Sequence, residues 1–362
     1  MSNLADLRAE HPPVLDDVDR RLLAALAVDG RASWSSLGAA ARCSASTAQR
    51  RWTRLRDAGM ATVIGASDVL AAGFGVSAMV RMGCSTQVLP EVVARLRTRR
   101  EVRFLATLTG TADCVAEVVV PDFADLEPFL TELAPDVDLR TEALPVLRTF
   151  TVPFAAFLDD AGTTPASAGA TSDSPEAGTA NAAAPDLHAM DGVVPVTATA
   201  TQLERDVFER LVVDGRIPVV DLAAAVGRSE PTTKRAVESL VADGRVRIGP
   251  LVVPRLMALR TELMVWISVA PDLVGDAARQ LARHPLVHYA AATAGRFNVI
   301  GQAFLPTFAD VYDFSTAVLG ALPGVREVDL TVQMTTHKRM WQPITDGRFD
   351  IHPDHPSLGG TP

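Results

Sequence analysis

The 362-residue chain lacks the features on which disulfide-rich, metal-binding and membrane proteins depend. Its three cysteines are odd in number and form no CxxC pair, so they predict neither a disulfide framework nor a metal site. No run of about 18 apolar residues is present, which argues against a membrane-spanning helix. Residues 1–17 are charged throughout and lack the apolar core of a signal peptide. We therefore expect a cytoplasmic protein that does not bind a membrane.

Catalytic motifs are also scarce. The sequence contains no P-loop, no dinucleotide-binding fingerprint and no evident pair of nucleophile and base. His284 and His288 are spaced for one helical face, but Pro285 disfavours that helix, and we predict no metal and no cofactor. The net charge of -9 argues against indiscriminate binding of nucleic acid, although it permits a locally basic surface. Hydrophobic content of 48% and the length predict a soluble chain of several domains.

One stretch, residues 44–59, predicts a helix with a basic polar face. Ser44 is suited to cap its start, Gly59 to end it, and Trp52 lies on its apolar side. A shorter amphipathic helix precedes it, from residue 33 to about residue 41. This helix-turn-helix order places side chains in a DNA major groove, although an arginine-rich face can also be merely solvated. The predicted DNA contacts are Ser46, Thr47, Gln49, Arg50, Arg51 and Arg54.

The downstream pattern of strands and helices is β-α-β-β-α-β, the order of a ferredoxin-like module. Residues 159–199 then consist mainly of Ala, Gly, Ser, Thr and Pro, which predicts a flexible linker with a reach on the order of 35 Å. A strand over residues 60–65, between the helices and the first module, is expected to act as a minimal wing.

The whole pattern occurs twice. The sequence Asp-Gly-Arg at residues 29–31 returns at 214–216, Gly59 returns as Gly244, and Gly110 returns as Gly295, always 185 positions apart. Such agreement predicts a tandem duplication. The fold class is therefore α+β, with two winged helix-turn-helix domains alternating with two ferredoxin-like domains. The predicted order is a tail (1–14), head 1 (15–65), module 1 (70–158), the linker (159–199), head 2 (200–250), module 2 (256–340) and a tail (341–362).

With these parts in order, the chain resembles the Lrp/AsnC (feast/famine) transcriptional regulators. The resemblance rests on residues 19–31, on the spacing of Ser44, Thr47, Arg51 and Leu55, and on Thr-Gly-Thr-Ala-Asp at residues 109–113. It departs from the family where Ala112 replaces an aromatic residue and Asn298 replaces an aspartate. The resemblance implies a DNA-binding head, an effector-binding module and assembly through paired modules.

The two heads differ in charge. Residues 15–65 contain eight arginines and five aspartates, whereas residues 200–250 contain eight positive and eight negative side chains. Because phosphate neutralisation dominates affinity for DNA, head 1 is expected to bind duplex DNA more strongly than head 2. The candidate contacts in head 2 are Thr232, Lys234 and Arg235.

The resemblance implies that a small molecule, usually an amino acid, binds where two modules meet, close to the glycine-containing loops. A ligand carboxylate suits free backbone N–H groups at a Gly turn, and an ammonium suits a carboxylate such as Asp113. The alternative is a tight hairpin in which Gly110 supplies a positive φ and Asp113 caps the turn. The candidate effector contacts are Thr109, Gly110, Thr111, Asp113, Gly295, Arg296 and Asn298.

The sequence thus predicts a sequence-specific DNA-binding regulator that responds to an amino acid or another small metabolite. Its partners would be double-stranded DNA and that effector. The two modules should pair within one chain as a pseudo-dimer, because an unpaired sheet would expose an apolar patch, and further homo-oligomerisation is expected.

Two alternatives remain. The first is a sirohaem-decarboxylase-like enzyme on the same fold, with His288, Arg296 and residues 297–300 at its site; the first copy has Arg103, Thr111 and Ala112 at matching positions. The second is a ligand sensor that has lost DNA binding, which the positive head 1 argues against.

Overall fold

The computed structural model describes residues 15–133, 138–154 and 199–350, so the predicted N-terminal tail and residues 159–198 of the predicted linker lie outside the described residues. Within this part of the chain, no helix is long and apolar enough to cross a membrane. The first unit contains α1 (Asp17–Val28), α2 (Trp34–Ala40), α3 (Ala45–Asp57), β1 (Ala61–Ala66), β2 (Val76–Gly83), α4 (Leu89–Thr98), β3 (Val102–Leu108), β4 (Cys114–Val120), α5 (Leu126–Leu133) and β5 (Arg140–Thr149).

The second unit repeats this order. It contains α6 (Gln202–Val213), α7 (Val219–Ala225), α8 (Glu230–Ala242), β6 (Arg247–Val252), β7 (Thr261–Val269), α9 (Val274–Ala282), β8 (Val287–Thr293), β9 (Val299–Leu305), α10 (Asp310–Asp313), β10 (Val325–Arg339), β11 (Gln342–Thr345) and β12 (Arg348–Phe349). A π-helical turn, Phe314–Leu319, continues α10.

Local sequence signals explain the ends of α3. The Ser44 hydroxyl accepts a hydrogen bond from the Thr47 backbone N–H at 3.1 Å, which satisfies one of the unpaired donors at the helix start. Gly59 follows the helix with a φ of +65°, as a helix-ending glycine does. In the turn before α3, Arg42 has a φ of +56°, close to the +64° of its repeat equivalent Gly227. The first turn therefore keeps the left-handed geometry without glycine, at a cost of about 1–2 kcal/mol.

The two modules share one closed sheet. Within each module the strands lie in the ferredoxin-like order, β3-β4-β2-β5 and β10-β7-β9-β8. The edges then pair across the modules, with β5 antiparallel to β8 and β10 antiparallel to β3. The intrachain pairing expected from the repeat is thus present, and it closes a ring of eight strands. Side chains of both modules fill its interior: Met79, Phe104, Leu144, Met264, Trp266, Phe297 and Ile300 are among them.

The two heads are joined by a sheet of their own. Strand β1 pairs antiparallel with β6, and Ile64 lies opposite Gly249, its own repeat equivalent. A pseudo-twofold axis therefore passes through this pair. The strand expected over residues 60–65 is present as β1, and it obtains its hydrogen bonds from β6 of the other head. A lone strand would have left those backbone groups unpaired.

The two copies of the Asp-Gly-Arg sequence form a clasp, a set of reciprocal hydrogen bonds that holds the two heads together. The Arg31 guanidinium donates to the backbone oxygens of Gly215 and Ile217, both at 2.8 Å. Arg216 donates in turn to the oxygens of Gly30 at 2.6 Å and Ala32 at 3.0 Å. Glycine is required at residue 30, since a Cβ there would lie 2.5 Å from the Ile248 oxygen. The planar fork of arginine suits two neighbouring carbonyl acceptors.

The prediction of a tail at residues 341–362 is wrong for its first part. Strands β11 and β12 form a hairpin whose Ile344 and Phe349 are buried in the core of the heads. The Phe349 N–H donates to the Gly59 oxygen at 2.8 Å, which holds the hairpin against head 1. Two isolated apolar residues among polar neighbours carry little sequence signal, because their partners belong to distant segments. Residues 351–362 lie outside the described residues.

The clasp makes a testable prediction. Replacing Arg31 with alanine should lower the free energy of unfolding by about 2 kcal/mol, because two charge-assisted hydrogen bonds are lost and their carbonyl acceptors stay half-buried. Arg31→Lys should rescue little of this loss, since an ammonium cannot span both carbonyls. Urea unfolding followed by tryptophan fluorescence measures the change. Arg21→Ala, which removes an exposed pair with Asp17 at 3.9 Å, is the control and should change stability by less than about 0.5 kcal/mol; equal losses in the two variants would contradict the clasp.

Candidate DNA-reading helices and effector loops

The predicted DNA contacts on α3 form two groups: side chains that are exposed to solvent and side chains that are bonded to other residues of the head. Ser46, Gln49 and Arg50 are exposed, and Arg50 has no hydrogen bond or ion pair within the described part of the chain. Thr47 is half-buried and accepts a hydrogen bond from the Ser44 hydroxyl at 2.9 Å. Gln49 and Arg50 are therefore the long polar side chains that this face leaves available to a partner.

Arg51 and Arg54 are held by α1 instead. Arg51 Nη1 lies 2.5 Å from Asp16 Oδ2 and 3.0 Å from Asp19 Oδ1, and Arg54 Nη2 lies 2.7 Å from Asp19 Oδ2. The hydrogen bond from Arg51 is the largest influence on Asp16 and lowers the pKa of its carboxyl. Asp19 is only 1% exposed, so the pair fixes α3 against the start of α1. Arg54, predicted as a groove contact, thus has a competing intramolecular partner, and Arg51 serves the packing of the head.

Head 2 presents a different surface. Lys234 lies 3.8 Å from Glu238, and the Thr232 hydroxyl shares a hydrogen bond with Ser229 at 2.8 Å. Arg235, the repeat equivalent of Arg50, is exposed and has no ion pair among the residues described. Ala236 stands where head 1 has Arg51. Exposed charge of both signs along α8 agrees with the neutral balance of this head.

The first glycine loop is bonded to the last strand of the other module. Thr109 donates its N–H to the Val332 oxygen at 2.9 Å, and its hydroxyl accepts from the Val332 N–H at 3.0 Å. The Thr111 hydroxyl donates to Asp329 Oδ2 at 3.0 Å. Gly110 has the predicted positive φ, +97°. The backbone N–H of Thr109 is therefore already used, which leaves fewer free donors for a ligand carboxylate than the sequence suggests.

Asp113 and Asn298 have the same structural partner in the two repeats. Asp113 Oδ2 accepts from the Cys84 N–H at 2.9 Å. Asn298 Oδ1 accepts from the Val269 N–H at 2.8 Å, and its Nδ2 donates to the Val269 oxygen at 2.8 Å. Each side chain ties its loop to the end of the first strand of its module. This geometry favours the capping interpretation of Asp113 and explains why Asn can replace Asp, because only an acceptor oxygen is needed.

Arg81 joins the two loops and is not among the site residues predicted from the sequence. Its side chain is buried, lies 2.5 Å from Asp329 Oδ2 and donates to Thr111 at 2.7 Å. The guanidinium carbon also lies 4.7 Å from the ring centre of Trp266 and 5.1 Å from that of Phe297. A signal was present, since an arginine within an apolar strand occupies the position that Trp266 fills in the other repeat.

The second loop is more open. Gly295 has a φ of +133° and packs against Leu144 of module 1, and Arg296 forms an ion pair with Glu327. The Arg296 guanidinium also lies 4.9 Å from the ring centre of Phe297, which contacts Arg81. Thr109, Thr111 and Gly295 therefore contact the opposite module, whereas Asp113, Arg296 and Asn298 are bonded to residues of their own module. Among the described residues, no group of three or more His, Cys, Asp or Glu is placed to hold a metal.

Comparison with known proteins identifies the two kinds of domain. An AsnC-type helix-turn-helix domain matches residues 15–56, a winged helix-turn-helix DNA-binding domain matches residues 201–247, and the Lrp/AsnC ligand binding domain matches residues 77–151 and 262–342. The HTH-type transcriptional regulator Rv2324 of Mycobacterium tuberculosis is 33% identical over 139 residues, which are 37% of this chain and 92% of that protein. This chain belongs to the Lrp/AsnC family of transcriptional regulators.

Further comparisons match one unit of this chain to a single-unit regulator, and both units to one solved structure. The regulator LrpA of M. tuberculosis is 33% identical over 138 residues, or 38% of this chain and 92% of LrpA. The siroheme decarboxylase NirDL superposes with a TM-score of 0.58 at 14% identity, covering 90% of this chain and 93% of NirDL. At that identity NirDL shows a shared fold alone. The covalent pair of units in this regulator thus has a structural counterpart.

The capping role of Asp113 can be tested by a substitution that the chain itself contains. Asp113→Asn should keep the hydrogen bond to Cys84, as Asn298 does in the second repeat, and leave the melting temperature nearly unchanged. Asp113→Ala should cost about 1–3 kcal/mol, because a half-buried N–H loses its acceptor. Thermal and urea unfolding of both variants measure the difference. Equal destabilisation by the two substitutions would show that the carboxylate charge, and not the cap, matters.

Proposed function

We propose that this Lrp/AsnC family member reads a specific DNA sequence mainly through α3 of head 1. The observation that carries this proposal is that Arg50 and Gln49 are exposed on that helix, whereas Arg51 is anchored to α1. Arginine pairs bidentately with guanine and glutamine with adenine in the major groove. Ser46 and Thr47, at the start of α3, are suited to contact phosphate.

Head 2 has a secondary role in this proposal. Its recognition helix α8 offers Thr232, Lys234 and Arg235, but the head has no net positive charge to attract phosphate. The sheet of β1 and β6 and the paired arginine forks relate α8 to α3 by the pseudo-twofold axis. One chain therefore presents two unequal recognition helices, as a dimer presents two equal ones to the half-sites of an operator.

The effector site is proposed at the junction of the two glycine loops. Residues of both repeats converge there around Arg81, and Asp329 lies within hydrogen-bond distance of both Arg81 and Thr111. An amino acid or similar metabolite that competes for these groups would alter the contact between the modules. We expect the pseudo-dimer to be the unit from which larger homo-oligomers assemble.

A decarboxylase function is the second candidate, because NirDL shares the fold over both units. The residues considered for that chemistry do not converge. His288 lies at the start of β8 with its ring 4.3 Å from that of Phe304, whereas Arg296 lies beyond the other end of β8 and pairs with Glu327. We therefore propose a regulator and not an enzyme. Tetrapyrrole absorbance in the purified protein, with turnover of an added iron-porphyrin substrate, would overturn this.

The proposal predicts unequal effects of two equivalent arginines. After selection of a binding site from random duplexes, Arg50→Ala should weaken binding by a factor of about 5 to 150, which corresponds to a bidentate base contact worth 1–3 kcal/mol. Arg235→Ala should weaken it less, because head 2 contributes less phosphate attraction. Fluorescence anisotropy at a fixed salt concentration gives both dissociation constants. A larger loss from Arg235→Ala would reverse the assignment of the heads, and circular dichroism of each variant controls for folding.

A further inference from the structure

A cavity of about 300 Å³ lies between the two modules and the sheet that joins the heads, away from the glycine loops. It is lined by both members of several repeat-equivalent pairs, so it reaches the pseudo-twofold axis, although most of its lining belongs to the second repeat. In a symmetric homodimer the two members of each pair would be identical, but here three of the four pairs have diverged. The pairs are Met79 with Met264, Arg103 with His288, Phe104 with Tyr289, and Glu117 with Gln302.

Three side chains in the lining, those of Glu117, Arg339 and Tyr289, have a buried polar atom without a hydrogen-bond partner among the described residues. Glu117 is 4% exposed, and its Oε2 accepts from Arg103 Nε at 2.8 Å, whereas its Oε1 has no partner among the described residues. Arg339 is 6% exposed, and its Nη2 donates to Glu262 at 2.5 Å, whereas its Nε has no partner there. Buried groups of this kind are costly unless something pairs with them. The cavity thus offers a ligand the Glu117 Oε1 acceptor, the Arg339 Nε–H donor and the Tyr289 hydroxyl.

The rest of the lining determines the size, polarity and charge of a ligand that the cavity can hold. Aromatic and sulfur-containing side chains, including Phe104, Phe150 and Met264, form a large part of the wall. The lining contains Arg103, Arg283 and Arg339 but, among carboxylates, Glu117 alone, which favours an anionic group. Burial raises the pKa of Tyr289 and lowers that of His288 to about 4, so both are uncharged at neutral pH. The volume is at the lower end of the range of small-molecule sites and suits a single ring, not a tetrapyrrole.

We propose that this axial cavity binds an aromatic carboxylic acid that also carries a hydrogen-bond donor, such as a ring hydroxyl. The carboxylate is received by the Arg339 side of the cavity and the donor by Glu117 Oε1. Because Glu117 carries a charge and Gln302 does not, the donor of the ligand is directed to Glu117, which gives the ligand one preferred orientation.

The cavity also touches the heads. Phe154, which lines it, has a φ of +66° and packs on Gly249, where a Cβ would lie 2.5 Å from Phe154 Cδ2. Gly249 pairs with Ile64 at the centre of the sheet joining the heads. A ligand that moves Phe154 therefore alters the contact that sets the spacing of α3 and α8. This regulatory consequence rests on the proposed DNA-binding function, whereas the binding of the ligand does not.

The test uses matched probes on the full chain. Calorimetry and thermal shift would compare 4-hydroxyphenylacetate with phenylacetate, which lacks the donor, and with tyrosol, which lacks the carboxylate. We expect 4-hydroxyphenylacetate to bind at least tenfold more tightly than either. Failure of all three to bind at millimolar concentration, or equal binding of all three, would overturn the proposal.

A double variant that removes the buried ion pair sharpens the test. Arg103→Met with Glu117→Met replaces both charged side chains by apolar ones of similar length, so it removes the acceptor without leaving Arg103 unpaired in the core. This variant should lose the preference for 4-hydroxyphenylacetate over phenylacetate, whereas Glu91→Ala, an exposed carboxylate on α4, should keep it. An unchanged preference in the double variant would overturn the assignment of the donor to Glu117.

DNA binding is measured separately on the same samples. Probe binding without specific DNA binding would refute the proposed function and leave the cavity assignment intact. DNA binding without probe binding would refute the cavity assignment and leave the proposed DNA-binding function intact. An unchanged DNA affinity at saturating probe would remove the regulatory link through Phe154.

Discussion

The structure depends on the pairing of open sheet edges between the two repeats. Each module alone would end in two edge strands, β3 and β5 in the first and β8 and β10 in the second. Unpaired edges leave backbone donors and acceptors exposed and invite association with other chains. Pairing β5 with β8 and β10 with β3 joins these edges to each other and closes the ring. Because both modules belong to one chain, the partner is always present at a high effective concentration.

Ring closure then determines how the heads meet. The pseudo-twofold axis that relates the modules also passes between Ile64 and Gly249, where β1 pairs with β6. Arg31 and Arg216 reinforce this arrangement by each binding two carbonyl oxygens of the opposite head. The two recognition helices are consequently held by the β1–β6 pairing and the arginine forks, neither of which involves their outer faces. Their surfaces are free to differ, and they do.

Covalent duplication allows positions on the axis to hold different residues. Arg81 faces Trp266, its repeat equivalent, at 4.7 Å, a cation–π contact that two arginines could not make. Asp113 and Asn298 have diverged while keeping the same hydrogen bond to the end of a strand. Across the axial cavity, a buried Arg103–Glu117 pair faces the uncharged His288 and Gln302. An asymmetric ligand site on the axis is chemically possible only because of this divergence.

The sequence by itself determined the local elements and their repetition. Helix α3 could be predicted from Ser44, Trp52 and Gly59, because caps, helical periodicity and glycine stops act over a few residues. The order of strands followed likewise from periodicity, and the spacing of 185 positions predicted two similar units. The candidate DNA contacts of α3 could be named as a set, but their separation into exposed and anchored side chains could not.

The tertiary structure decided whatever depends on partners distant in the chain. It gave Arg51 and Arg54 their carboxylates on α1, gave β1 its partner in the other head, and turned residues 342–349 into a hairpin. It also placed Arg81 between the two loops and brought Glu117 and Arg339 to one cavity. None of these contacts has a fixed sequence spacing, because each arises from the way two folded units close on each other. Periodicity and caps report only the first few neighbours of a residue, whereas burial and charge pairing are set by the whole fold.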